Sequence, residues 1–207
     1  MKEAVLLHIP HASTEIPAEV RAQILLSDEE LRREVLTIVD RYTDELFDLP
    51  GATRVQSPWC RLVFDPERFR DDKDEPAAAF GRGAIYTRTV HGKPMRDPAP
   101  AARDALVRRF YDPYHALLES EVTQILAEHG ECLIVDCHSF TSRPLPFEAD
   151  QVSRRPDLCI GTDPFHTPER LPGILQQLAE ARGLSTRRNW PFGGTITPMR
   201  YYRKDGR

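Results

Sequence analysis

The sequence predicts an α/β fold, a three-layer sandwich in which helices cover a mixed, mostly parallel central sheet. Three observations carry this reading. Strand-length segments recur at residues 4–9, 52–56 and 132–137, the first and last of them apolar runs. Longer segments with apolar residues at helical spacing separate them. Polar residues follow the apolar runs directly, as they do where strand ends of an open α/β sheet deliver loops to one edge.

Residues 4–9 form an apolar run stopped by Pro10, which removes a ladder donor and leaves His11 just past a strand end. Pro17 suits the first turn of a helix reaching about residue 26. Ser27 and Glu30 have the capping-box spacing, so a second helix starts there, with Leu31, Val35, Ile38 or Val39, Tyr42 and Leu46 on one face and Asp40 and Asp44 on another. Residues 52–56 and 61–64 read as two short strands around Ser57-Pro58-Trp59.

Residues 70–100 are polar and rich in Gly and Pro, a loop long enough to be functional or mobile. From about residue 100 to 129, a long helix carries Leu106, Phe110, Tyr114, Leu117 or Leu118, Val122 and Ile125 at helical spacing, and Gly130 ends it. Residues 132–137 read as a central buried strand. A strand at 156–160, a helix at 167–182 and a strand at 184–189 complete the alternation.

One domain accounts for all 207 residues, since a chain of that length can bury a sizeable core. Twenty-eight basic against 32 acidic residues, without a basic face, argue against a nucleic-acid partner. No apolar run approaches the roughly 20 residues of a membrane span, and the opening apolar stretch is too short for a signal peptide, so the expected location is cytoplasmic. The spacing of Cys60, Cys132, Cys137 and Cys159 makes neither a disulfide framework nor a zinc knuckle. Oligomeric state is not legible.

Chemistry-bearing residues gather after apparent strands in four places: His8 to His11, Asp65 to Arg68, Asp136 to Ser139, and Gly193 to Thr195. Catalytic zinc wants three protein ligands and one open position, and imidazole is a good ligand. His11 and His138 are the preferred pair because each follows a strand. His8 is more readily placed inside its strand, and His115 on the long helix reads as a packing or supporting residue. His91, His129 and His166 read as exposed. Removing a ligand on a surface loop should cost metal and spare the fold.

The ordered set Ile9-Pro-His-Ala-Ser13, Asp40-Arg-Tyr-Thr-Asp44, Arg61-Leu-Val-Phe-Asp-Pro-Glu-Arg68, Tyr111-Asp-Pro-Tyr-His115, Asp136-Cys-His-Ser139 and Phe192-Gly-Gly-Thr-Ile-Thr197 resembles the N-formylglutamate amidohydrolase family over nearly the whole chain. That resemblance implies a zinc-exopeptidase-like fold, related to the zinc carboxypeptidases and aminoacylases. It also implies metal-dependent hydrolysis of N-formyl-L-glutamate, or a similar N-acyl amino acid, in histidine breakdown. One Zn2+ per chain would be held by His11, His138 and an acidic residue, Asp40 by its match to the family or Glu15 as rival.

The resemblance implies a small-molecule carboxylate as the partner. Arg68 matches the position that grips it, although a surface ion pair with Asp71 or Asp72 would also explain an arginine there; Arg61 is a second candidate. Where many relatives have Asn, this chain has Glu67. Gly193, Gly194 and Thr195 would approach the substrate, or form an ordinary turn. Asp136 and Glu67 are the carboxylates to test for proton transfer, with Asp136 alternatively orienting a ligand imidazole. Relatives continue into a strand bearing a glutamate, so this form is expected to lack a C-terminal strand. Two other readings stand beside this one: a non-catalytic binding protein of the same fold, and a cysteine amidase using Cys137.

Overall fold

A computed structural model of the chain describes residues 3–97, 99–148 and 150–207. Its contacts divide it into two compact units, Met1–Phe140 and Thr141–Arg207. The described strands pair in parallel throughout, within an α/β arrangement.

In the first unit β1 (Val5–Ile9) lies between β2 (Thr53–Gln56) and β3 (Leu133–Asp136). The central strand is therefore β1, whose last four residues are buried, and not the 132–137 segment. β3 is partly exposed, with Leu133 at 37%. The register sets His8 opposite Asp136 on one side and Val55 on the other, so the polar ends of two strands arrive level.

Between β1 and β2 come α1 (Ala18–Arg21), α2 (Asp28–Ile38) and α3 (Thr43–Leu46). The capping box is present with both arms: Ser27 accepts from the Glu30 backbone, and Glu30 accepts from the Ser27 backbone. α1 is a single turn, much shorter than the 17–26 helix the proline suggests. α2 stops at Ile38 because Val39 turns extended and Tyr42 takes a left-handed φ of 65°. Tyr42 and Leu46 are consequently 60% and 70% exposed, not part of the buried face. Asp40 thereby sits in a turn, free of helical geometry.

Residues 61–64 form a turn rather than a strand, closed by the Val63 amide donating to the Cys60 carbonyl. Leu62, Val63 and Phe64 are nevertheless at most 1% exposed, and an apolar run buried in a turn looks like a strand on paper. The 70–100 segment is not a bare loop. It contains a 3-10 turn, Pro76–Phe80, and supplies Tyr86, Val90 and Met95 to the core that Leu31, Val35 and Ile38 of α2 also fill.

The long helix is real but divided: α4 (Pro100–Leu106), a π-helical turn Val107–Tyr111, and α5 (Asp112–His129). Pro113 has no N–H to give the carbonyl four residues back, and the widened turn absorbs that lost bond. Leu118, not Leu117, takes the buried position, at 0% against 47% exposed. Gly130 ends α5 with a φ of 78°, which a side chain would strain.

In the second unit β4 (Leu158–Ile160) pairs with β5 (Thr186–Arg188), with α6 (Arg170–Glu180) as the connection. This is a compact parallel βαβ unit.

Candidate metal centre

β1 sets the site. Its last turns bring His8 into the strand and His11 just beyond Pro10, at 0% and 1% exposure. The Asp40 amide donates to the His11 carbonyl at 3.0 Å, which pins the turn after α2 against that loop. β3 ends at Asp136, and His138 follows two residues on. The turn after Cys60 supplies Arg61, Asp65, Glu67 and Arg68.

His11 is held by one nitrogen only. Its Nε2 donates to Asp65 Oδ1 at 2.9 Å. Its Nδ1 is buried with no hydrogen-bond partner and lies 3.8 Å from Asp40 Oδ2 and 3.7 Å from Glu67 Oε2. His138 donates from Nδ1 to Asp40 Oδ2 at 2.8 Å and from Nε2 to Glu67 Oε1 at 3.0 Å, with Asp136 Oδ1 3.3 Å away. The two rings are 5.3 Å apart.

Ligand atoms of His11, Asp40 and His138 all lie within 4.8 Å of one another; the same holds for His8, Glu67 and Asp136, and for His11, Asp65 and Glu67. These groups could hold a metal ion. Glu15 is exposed and belongs to none of them, so of the two acidic residues considered for third ligand it is Asp40 that stands with the histidines.

The same residues shape one another's protonation. Burial and Arg61 push the His11 pKa down, but Asp65 and Asp40 outweigh them and leave it raised. Burial opposes protonation of His138 too, yet Glu67, Asp136 and Asp40 hold its pKa well above the ordinary value. Against a burial penalty, the histidines and Arg61 keep the Asp40 carboxyl below its usual range. The pocket thus favours a cation between His11 Nδ1, Asp40 and His138. A metal ion could take the place of a proton in that slot.

Several supporting residues were not assigned from sequence. Asp65, fully buried, accepts from His11, from Arg61 Nη2 at 2.7 Å and from Tyr86 Oη at 2.6 Å. It fixes the His11 ring, the role carboxylates take behind metal-bound imidazoles. Its position directly after the apolar run was the available signal; Tyr86 lay in a segment that reads as loop and gave none. His8 is closer to the chemistry than its strand position suggested, donating from Nδ1 to Asp136 at 2.7 Å. His115 donates to the Pro66 carbonyl at 2.9 Å and stacks on Tyr111, a supporting role as expected.

Arg68 contacts Glu75 at 3.5 Å and Asp65 at 3.7 Å rather than Asp71 or Asp72, and its buried Nε has no hydrogen-bond partner. Arg61 is committed to Asp65 and, through Nη1, to the Ile38 carbonyl. Gly193, Gly194 and Thr195 lie in the second unit, where Gly194 has a φ of 85° and a side chain on Gly161 would meet its carbonyl oxygen at 2.7 Å. Cys137 is a poor nucleophile: burial, then Asp136, pushes its thiol up to about 12, and its Sγ donates to the Val135 carbonyl.

A family model described as N-formylglutamate amidohydrolase matches residues 3–207, across both units. The N-formylglutamate deformylase of Pseudomonas aeruginosa is 30% identical over 206 residues, 93% of this chain and 73% of that protein. Among solved structures, the N-formylglutamate amidohydrolase of Ralstonia eutropha JMP134 superposes with a TM-score of 0.81 at 22% identity, covering 94% of this chain and 75% of its own. A gene product of Agrobacterium tumefaciens follows with a TM-score of 0.65 at 26% identity, covering 92% and 70%. The chain belongs to the N-formylglutamate amidohydrolase family and is a hydrolase.

Proposed function

We propose that this chain hydrolyses the formyl amide of N-formyl-L-glutamate, or the amide of a close N-acyl amino acid, giving formate or another acid and the free amino acid. The observation that carries the proposal is the His11 ring: one nitrogen fixed by Asp65, the other buried, unpartnered and facing Asp40, Glu67 and His138. His11, Asp40 and His138 would hold one zinc ion. When bound, such an ion supplies Lewis acidity toward the amide carbonyl and toward water.

The protein's own groups divide the remaining work. Glu67 reaches both histidines, so its carboxylate is placed to take a proton from the attacking water and give it to the leaving nitrogen as the C–N bond breaks. Asp136, shared by His8 and His138, orients the imidazole and is the second carboxylate to test. Arg68 takes the substrate carboxylate through its guanidinium fork, with Arg61 behind it holding Asp65 in place.

The same reading carries a three-layer, zinc-exopeptidase-like fold, a cytoplasmic location, a role in histidine breakdown and one catalytic function for residues 1–207. The test is a panel of N-formyl, N-acetyl and N-carbamoyl amino acids assayed with added zinc and with a chelator. Fastest turnover of an acidic N-formyl substrate, lost to the chelator and restored by zinc, is expected. Activity indifferent to chelation, or no turnover of any member with zinc bound, would sink the proposal.

A further inference from the structure

A second polar site lies within the 72–103 region, apart from the histidine cluster. A cavity of about 120 Å3 there is lined by Arg96, Arg103, Asp72, Thr87, Gly81 and Gly83, among others. Arg96 is only 4% exposed. One of its nitrogens donates to the Leu62 carbonyl at 2.9 Å, while Nε and Nη1 are buried without a hydrogen-bond partner. Arg103, on the same cavity, gives Nη2 to Asp72 at 2.7 Å and leaves its Nε buried and unpartnered. Two arginines that line one small space therefore carry, between them, three buried guanidinium nitrogens without a hydrogen-bond partner.

Asp72 and Asp97 line the cavity with the two arginines, but neither carboxylate bonds Arg96. Asp72 is already taken by Arg103, and Asp97, at the cavity and exposed, accepts from the Ala99 backbone. Burial, with no carboxylate offsetting it, pushes the Arg96 guanidinium down to about 10. A buried cation without a counter-charge is costly, as is each buried donor left unsatisfied. The glycines keep the wall thin: a side chain on Gly83 would strike Asp72, and one on Gly81 would meet Thr87 Oγ1 at 2.7 Å. At roughly 30 Å3 per water, the space equals about four waters, room for an ion of formate to phosphate size.

We propose that this cavity is a binding site for one small oxyanion, gripped by the guanidinium groups of Arg96 and Arg103. It is a site distinct from the substrate grip at Arg68 and does not depend on the reading of the catalytic centre. Carboxylates and phosphate share the recognition chemistry, a compact cluster of acceptor oxygens for charge-assisted donors.

The test measures the thermal midpoint of the chain in chloride buffer with no added metal at fixed ionic strength, titrated with sodium formate in one arm and sodium phosphate in the other. A saturable rise of a few degrees is expected in at least one arm, since an ion bound only by the folded state stabilises it. Saturation by formate alone identifies a carboxylate site; saturation by phosphate alone identifies a phosphate site. Arg96→Met should abolish the rise, Arg103→Gln should weaken the anion several-fold, and Arg68→Lys should leave it intact. No rise in either arm, the same rise in Arg96→Met, or its loss in Arg68→Lys would overturn the site. If Arg96→Met does not fold, Arg103→Gln decides by phosphate titration followed in phosphorus NMR, where undiminished binding counts against the proposal.

Discussion

His11 and His138 occupy the same cluster but stand differently toward the fold, and that difference separates what their removal should do. His138 is about one-third exposed, so His138→Ala should lose bound zinc while its unfolding midpoint stays near that of the parent. His11 is not the surface-loop residue that its place after a strand suggests; it is buried against Asp65. His11→Ala should lose zinc and also about 1–3 kcal/mol of stability, because a buried acceptor loses its donor. Asp40→Ala should weaken zinc far more than Glu15→Ala, as read by metal content after dialysis; full occupancy in any of the first three variants would remove that residue from the ligand set. Arg68→Lys replaces a fork with a point charge, and kcat/KM for an acidic substrate should fall by the equivalent of about 1–3 kcal/mol. An unchanged kcat/KM would refute its role. At this scale the sequence marked His11, Asp40 and His138 as candidates because each falls in a short ordered motif, and the fold brings their ligand atoms within 4.8 Å of one another. Asp65 and Tyr86 were not, because the bonds that give them a role span 54 and 21 residues and no local pattern marks them.

Helix α2 shows how much an element can owe to its first residue. Ser27 accepts from the Glu30 amide at 3.3 Å while Glu30 returns to the Ser27 amide at 3.0 Å. Ser27→Ala should cost about 1 kcal/mol. Because α2 packs Leu31, Val35 and Ile38 into the core, the loss should appear as a shifted urea midpoint with an unchanged slope. No shift would mean that the helix start is held by packing alone. The same element marks where pattern reading fails. Apolar spacing continues through Tyr42 and Leu46, yet the chain leaves the helix at Val39, because the Asp40 amide is claimed by the His11 carbonyl and its carboxylate by His138. A tertiary demand at the site overrode local periodicity. The turn at 61–64 failed for a related reason, since burial makes a turn apolar just as it makes a strand apolar.

The whole molecule carries a net charge of -4, but its response to acid should be set by where protons are refused rather than by that total. His115 is the clearest case. Burial above all, with a smaller contribution from His8, outweighs the Pro66 bond and Asp112 and lowers its pKa from 6.5 to about 4. The unfolded chain therefore takes up a proton there below about pH 6.5, while the folded chain declines it until about pH 4. The stabilisation is fully present above the unfolded value and is lost as pH falls through that window, by up to roughly 3 kcal/mol. Glutamine can still donate to the Pro66 carbonyl without titrating, so His115→Gln should flatten the dependence between pH 6.5 and 4. The readout must belong to the first unit, because two units need not unfold together. Trp59, packed edge-on against Phe110 with ring centroids 6.1 Å apart, provides it once the chain's other tryptophan, Trp190, is replaced by phenylalanine. Urea midpoints of the parent and of His115→Gln in that background, compared at pH 7, 6, 5 and 4.5, should diverge steadily as the pH falls, with the parent losing more. Parallel curves would show that His115 takes up its proton in the folded state as readily as in the unfolded one.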